Sequence, residues 1–461
     1  MMASKTIPRK RSNELQLPAA DHTLAERALF GKSLRREVPR AAHAEWSAPP
    51  DRRDPVEILI EQGKSRIQSL LPIRYARMRT DPFAFLRGGA AIMSADLACT
   101  PSTGYRVQSC GDAHLANFGA YAAPAGLPVF DVSDFDETLP APFEWDIKRL
   151  ATSIVVAAHV GHHSAKASRL LACDAVRAYR AHMATLAPLP PIDAWSQRID
   201  LAKVISRIDK PKVRNAIEGN LARALDSASA HFGLIELGPN GPRIIEKKPL
   251  IHRLDEHELP TRDAFASYAQ SLSEDRRALL GRYALRDVAF KTVGVGSVGT
   301  FCAIGLMVAG DGSPLLLQIK EAKASVLAPF AGASAYANHG QRVVVGQRTM
   351  QAATDTLLGW IGEPIGDRYF YVRRLKDARL ADIGMRLETM LPFYADVCGR
   401  TLARAHARAG DAALILGYLG KSSAFDEAVG DFAVAYANQT ENDWQAFETA
   451  IRSGRIVAAT Q

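Results

Sequence analysis

Cysteine is scarce and unpatterned: Cys99, Cys110, Cys173, Cys302 and Cys398 are scattered through 461 residues, with no CxxC and no histidine at metal-ligand spacing beside them. Their odd number and spacing argue against a disulfide framework or a thiolate zinc site and point to a reducing compartment. Long apolar runs are also missing. SIVVAAHV, among the longest, falls well short of the roughly 20 residues that a membrane-spanning helix needs. MMASKTIPRKRSNELQ lacks the apolar core of an export signal. A cytoplasmic chain with no membrane partner is expected.

Basic charge on the main body is modest. The net charge is +8, yet residues 1–53 hold eleven Lys/Arg against six Asp/Glu, a difference of +5, which leaves +3 for everything after them. A nucleic-acid-binding face is therefore not expected, and residues 1–54 read as a flexible basic arm ending in an extended, proline-rich strap. At 47% apolar and 23% charged, the rest can build two lobes with sizeable cores.

Periodicity then sets the elements. VEILIEQGKSRIQSLL spaces its apolar residues as a helix that Pro72 should end, and FAFLRGGAAIMSADLA continues as a second helix. TGYRVQSCGD alternates as a strand. It breaks into a loop, a short hairpin and a second, acidic loop before the helix WDIKRLATSIVVAAHVG. Helices dominate to about Ala230, and GLIELGPNGPRIIEKKP follows as a hairpin. After a helix around Phe265–Tyr283, Val288 to Lys320 reads as a three-stranded meander. Helical patterns return at Ala335–Leu358, a strand at Arg368–Arg374, and helices at Ile383–Ala409 and Phe425–Ser453.

Two loops carry chemistry. Asp112 and Asn117 stand five residues apart in CGDAHLANFG, and Asp134 opens a second acidic loop after the hairpin, which should fold it back beside Asn117. A carboxylate that orients an attacking hydroxyl, with carboxylate and amide oxygens for hard Mg²⁺, is what phosphoryl transfer requires. The competing reading is a capped turn followed by solvated acids. Asp146 is expected as a buried hydrogen-bonding anchor. Further on, Gly294, Gly296 and Gly299 form a GxGxxG followed by TFCAIGLMV and LLLQIK, so these glycines join strands and no helix is available for a dinucleotide site. A strand-to-strand flap over phosphates fits better, and Lys320 falls where a phosphate-contacting lysine would lie.

RYARMRTDPFAFLRGGA, VQSCGDAHLANFG, FDVSDFDET with PFEWDIKRLA, GQRVVVGQRTMQAATD and LARAHARAGD together resemble the bacterial domain-of-unknown-function family 2252, over nearly the whole chain from about Gly31. That family is similar to the protein-kinase-like superfamily, particularly the aminoglycoside and choline phosphotransferases. The resemblance implies an α+β, two-lobed kinase-like fold with Asp112 as catalytic base, Asn117 and Asp134 as ligands of Mg²⁺, and Gly294, Gly296, Gly299 and Lys320 on ATP. Because the acidic loops precede the glycine turn, the layout is a circular permutant. Residues 55–285 form the large lobe, 286–380 a small nucleotide-binding lobe, and 381–461 helices returning to the large lobe. Cys110 stands in place of the usual histidine. Ala324 to Thr354 contains no acid to pair with Lys320, which leaves Glu321, Asp355 or Gln347 as substitutes. The expected function is phosphoryl transfer to a small-molecule acceptor; a nucleotide-binding regulatory module and AMP transfer to a protein are the alternatives.

His114, His406, Arg373 and Arg374 beside Lys376, and the Arg342, Arg348, Gln341, Gln347, Gln351 stripe are further candidates. Lone histidines are more often structural and strand-edge arginines more often solvated, while an exposed helix face explains the stripe nearly as well as a ligand-facing one.

Overall fold

A computed structural model describes residues 17–19, 21–122, 128–206, 208, 211–229, 233–239, 241–248, 250–254, 261–292, 296, 298–375 and 390–460. It is a mixed α+β protein with a helical body and several antiparallel sheets.

The helix Phe143–Val160 lies at the centre of the body, and nearly all its residues from Phe143 to Val156 are buried, polar ones included. A helix covered on most sides cannot show a simple apolar stripe. Around it pack Ala165–Leu186, Leu391–Ala409 and Ala424–Arg452. Ser164 caps the second of these by accepting from Ala167 N. A six-stranded antiparallel sheet follows later in the chain, in the order Gly359–Trp360, Tyr369–Arg374, Pro314–Ala322, Cys302–Ala309, Tyr283–Lys291, Ile251–Arg253. One apolar cluster holds Phe290, Ala303, Leu317, Ile319 and Phe370, and another holds Ala289, Ile304, Leu306 and Leu316. The alternating pattern of the central strands feeds both. The expected meander is thus the middle of a larger sheet.

Several boundaries differ from the sequence reading. The first body helix stops at Lys64, and Pro72 opens the next helix, Leu71–Arg79, where its missing N–H costs nothing. FAFLRGGAAIMSADLA splits at Gly89 into Pro82–Gly88 and Ala90–Leu97. The segment around Phe265–Tyr283 divides into Thr261–Gln270 and Glu274–Leu280, and Tyr283 already begins a strand. The expected basic arm carries a helix, Leu24–Ser33, closed by a Thr23/Glu26 capping box. It lies so close to the helix Ala412–Leu419 that a Cβ on Gly31 would stand 2.0 Å from Leu414 O. From Leu24 onward, then, that stretch belongs to the packed body.

Candidate functional site

The strand Arg106–Ser109 delivers the chain to a loop whose geometry depends on Gly111, which has φ +82° and whose Cβ would lie 2.5 Å from Glu137 O. Asp146, in the first turn of the central helix, accepts from Cys110 N at 2.8 Å and Gly111 N at 3.0 Å. It is 1% exposed, as the anchor role requires. His406 lies 3.3 Å from the same carboxylate, and Tyr179 Oη is 2.9 Å from His406 Nδ1. His406 therefore braces the anchor at a distance from the cleft.

One turn further along that helix, Arg149 donates to Asp112 Oδ1 from Nε at 2.8 Å and from Nη2 at 2.6 Å. Burial raises the Asp112 carboxyl above the ordinary aspartate range, against the pull of Arg149, and the neighbouring Asp134 adds to the rise. Asn117 closes the short turn Leu115–Asn117 and donates from Nδ2 to Asp112 O at 2.8 Å. The hairpin then pairs Phe118 with Val132, so that Ser133 N reaches Asn117 O at 2.8 Å and Asp134 returns beside the first loop.

Lys320 projects from the sheet side, paired in register with Tyr371 on the next strand. It forms an ion pair with Asp136, lies 3.9 Å from Asp134 Oδ2 and is 3% exposed. Tyr371 Oη donates to the other Asp136 oxygen at 2.9 Å. Burial works against the ammonium charge, but Asp134 and Asp136 outweigh it and hold the Lys320 pKa above its usual value. None of the expected substitute partners serves Lys320. Glu321 accepts from Phe301 N and pairs with Lys323, Asp355 accepts from Leu357 N and Arg374 N, and Gln347 donates to Gln351. The acid two residues after Asp134 takes the place that the sequence reading gave to them.

The glycine turn joins two antiparallel strands, as expected. Gly294 lies outside the described residues. Gly299 has φ +87°, and its carbonyl accepts from Ile67 N at 2.8 Å. Arg66 donates to Val298 O at 2.7 Å, so the turn rests on the connection between the helices Pro55–Lys64 and Leu71–Arg79. Asp112, Asn117, Asp134, Gly296 and Lys320 all line one cleft of about 930 Å³, together with His114, Asp136 and Glu137. Burial and the arginines at 149 and 87 push the His114 imidazole well below its usual pKa, and its Nδ1 has no hydrogen-bond partner among the described residues.

The polar stripe does not face this cleft. Arg342 is buried and laces the acidic loop together, donating to Thr138 O at 2.5 Å, Asp136 O at 2.7 Å and Lys323 O at 2.8 Å. Gln351 reaches Val132 O at 2.6 Å, and Arg348 reaches Leu358 O at 2.5 Å. Arg373 does line the cleft; it donates to Ser133 O at 3.2 Å and to Gln318. Lys376 lies outside the described residues. Sequence reasoning missed Arg149 and Asp136. Arg149 stands three residues after Asp146 on one helix face, the spacing that could have revealed it.

Among the described residues no group of three or more His, Cys, Asp or Glu is placed to hold a metal ion. The oxygen donors expected from the sequence, Asp112, Asp134 and Asn117, line the cleft with the further carboxylates Asp136, Glu137 and Glu321. Such a set suits Mg²⁺ only when phosphate oxygens and water complete the shell, as is usual for that ion. Among the described residues no helix is long and apolar enough to cross a membrane.

The chain belongs to the family described as an uncharacterized protein conserved in bacteria (DUF2252), whose profile matches residues 66–450. No curated protein and no solved structure matches it.

Proposed function

We propose that the cleft binds ATP with Mg²⁺ and transfers the γ-phosphoryl group to a hydroxyl of a small-molecule acceptor, in a circularly permuted kinase-like arrangement. One observation carries this reading: residues separated by up to 208 positions, from Asp112 to Lys320, converge with Gly296 on a single cleft. Structural acids and a strand-end lysine need not meet in this way.

The roles follow from chemistry. Lys320, paired with Asp136, whose other oxygen Tyr371 holds, presents its ammonium to phosphate oxygens. Asn117 and Asp134 supply hard oxygens for the metal, which neutralises phosphate charge when bound. Asp112, fixed by Arg149 and raised in pKa by burial, accepts the acceptor hydroxyl proton. The acceptor oxygen bonds to the γ-phosphorus as the bond to the bridging β,γ-oxygen breaks, and ADP leaves. In this reading Asp136 supplies the lysine partner that an ordinary kinase takes from a helix glutamate.

A nucleotide-by-metal thermal-shift panel on wild type and Asp134→Ala tests this. Mg-ATP at a hundredfold over Kd is expected to stabilise wild type by about 2.7 kcal/mol, with most of the metal-dependent part lost in the variant. Equal shifts in both proteins would defeat the reading. Mass spectrometry of the products separates phosphate transfer from AMP transfer, and stabilisation without product would leave a binding module.

A further inference from the structure

A second concavity, of about 540 Å³, lies on the helical body and shares no lining residue with the acidic cleft. The helices Leu24–Ser33 and Ala165–Leu186 both pack on Ala412–Leu419, and a trench remains between them. Ala25 and Ala28 line one side, Ala181 and Ala184 the other, and Leu416 the floor. Each alanine pair is three residues apart and so shares one helix face, and side chains this short leave the trench unfilled. The helix Leu24–Ser33 cannot sink further to fill it. Its backbone already touches the floor, where a Cβ on Gly417 would stand 2.1 Å from Ala28 O.

The charges at this trench all have one sign. Its described lining carries Lys32, Arg180 and Lys421 and no carboxylate. Arg180 already pairs with Asp426 at 2.6 Å. Lys32 and Lys421 are exposed, and among the described residues neither ammonium has an ion-pair partner. The complementary occupant has an apolar body and an anionic end. Residues 1–16, with four Lys/Arg against one Asp/Glu, carry the wrong charge for it. A bilayer surface is broad, whereas this site is sunk between two helices. The volume falls within the roughly 300–1,000 Å³ of small-molecule sites, which favours a single chain over a whole helix about 10–12 Å across.

We propose that this trench binds one long-chain fatty acid, with the acyl chain between the two alanine pairs and the carboxylate at the exposed lysines. Methyl and methylene groups of the walls take the chain out of water, and the ammonium groups fix which end stays outside.

Dodecanoate, kept below micelle-forming concentration, is the probe for calorimetry on the full chain. One saturable site is expected, with affinity rising about fourfold for each methylene added between decanoate and dodecanoate. Ala184→Leu, a helix-favouring change at an exposed position, should fill the trench and weaken dodecanoate about tenfold or more at an unchanged melting temperature. The double variant Lys32→Glu with Lys421→Glu should weaken it about tenfold, and dodecyltrimethylammonium should not bind. Absence of a saturable site, unchanged affinity in Ala184→Leu, or equal affinity for dodecyltrimethylammonium would each overturn the proposal. Capture by phosphatidylglycerol vesicles or by an acidic amphipathic peptide, without dodecanoate binding, would also overturn it and assign the trench to a membrane or to a helix. If Ala184→Leu does not fold, Ala181→Leu and the lysine variant decide.

Discussion

Replacing Lys320 with methionine keeps the length of the side chain and deletes its charge, removing the ammonium from Asp136, to which Tyr371 still donates, and from Asp134, 3.9 Å away. At an effective dielectric of about 20, a contact pair near 4 Å is worth roughly 4 kcal/mol before desolvation. Breaking a buried pair from one side costs about 3–5 kcal/mol. The Asp136 side chain keeps 25% of its surface exposed and recovers some hydration, so about 3 kcal/mol is expected for Lys320→Met. Asp136→Asn should cost less, about 2 kcal/mol, because Lys320 retains Asp134. The double variant should lose about 3 kcal/mol, a coupling near 2 kcal/mol, read from urea midpoints at unchanged denaturant slope. Additive losses, within about 0.5 kcal/mol, would show that Asp136 does not hold the lysine and would remove the basis for its role as the missing acid.

Three other expectations are independent of that pair. Burial pushes Glu137 up to about 7 from its ordinary 4.5, a folded-state rise, so stability present below about pH 4.5 is lost as pH climbs from there to about 7. Glu137→Gln should therefore stabilise at pH 8 by at most about 3 kcal/mol, nearer half of that given its solvent-facing edge, and change little at pH 4; equal melting shifts at both would refute the assignment. Gly399→Ala puts a methyl 2.2 Å from Ala175 O, forcing apart the helices Leu391–Ala409 and Ala165–Leu186. A loss of about 2–3 kcal/mol is expected, and a neutral melting curve would contradict that packing. Asp146→Ala leaves the N–H groups of Cys110 and Gly111 without their acceptor, at about 1–3 kcal/mol each. Faster amide exchange at those two residues, measured by mass spectrometry, is the diagnostic.

The loops were legible because their information is local. A five-residue interval, a hairpin with alternating apolar residues and an acid just beyond it were enough to bring Asp134 back to Asn117. The glycine turn was legible for the same reason, since TFCAIGLMV can only leave it as a strand. What stayed hidden is contact between distant segments. Nothing near Lys320 in the sequence points 184 residues back to Asp136, and the Arg342 stripe looks solvated until the acidic loop is laid over it. Proline and glycine were misplaced at Pro72 and Gly88–Gly89 because one helix period runs almost in phase through both breaks. The leading segment was read from its charge, whereas small residues at Ala28 and Gly31, meeting Gly417 and Leu414, decide that it docks.

The tie between Asp146 and His406 spans 260 residues. A ribosome must therefore release the chain past His406 before the turn at Cys110–Gly111 acquires its full support. Nascent molecules that already hold both acidic loops still lack the imidazole that steadies them, as well as the later-made lysine. A product stopped short of His406 would carry both acidic loops without the imidazole that braces Asp146.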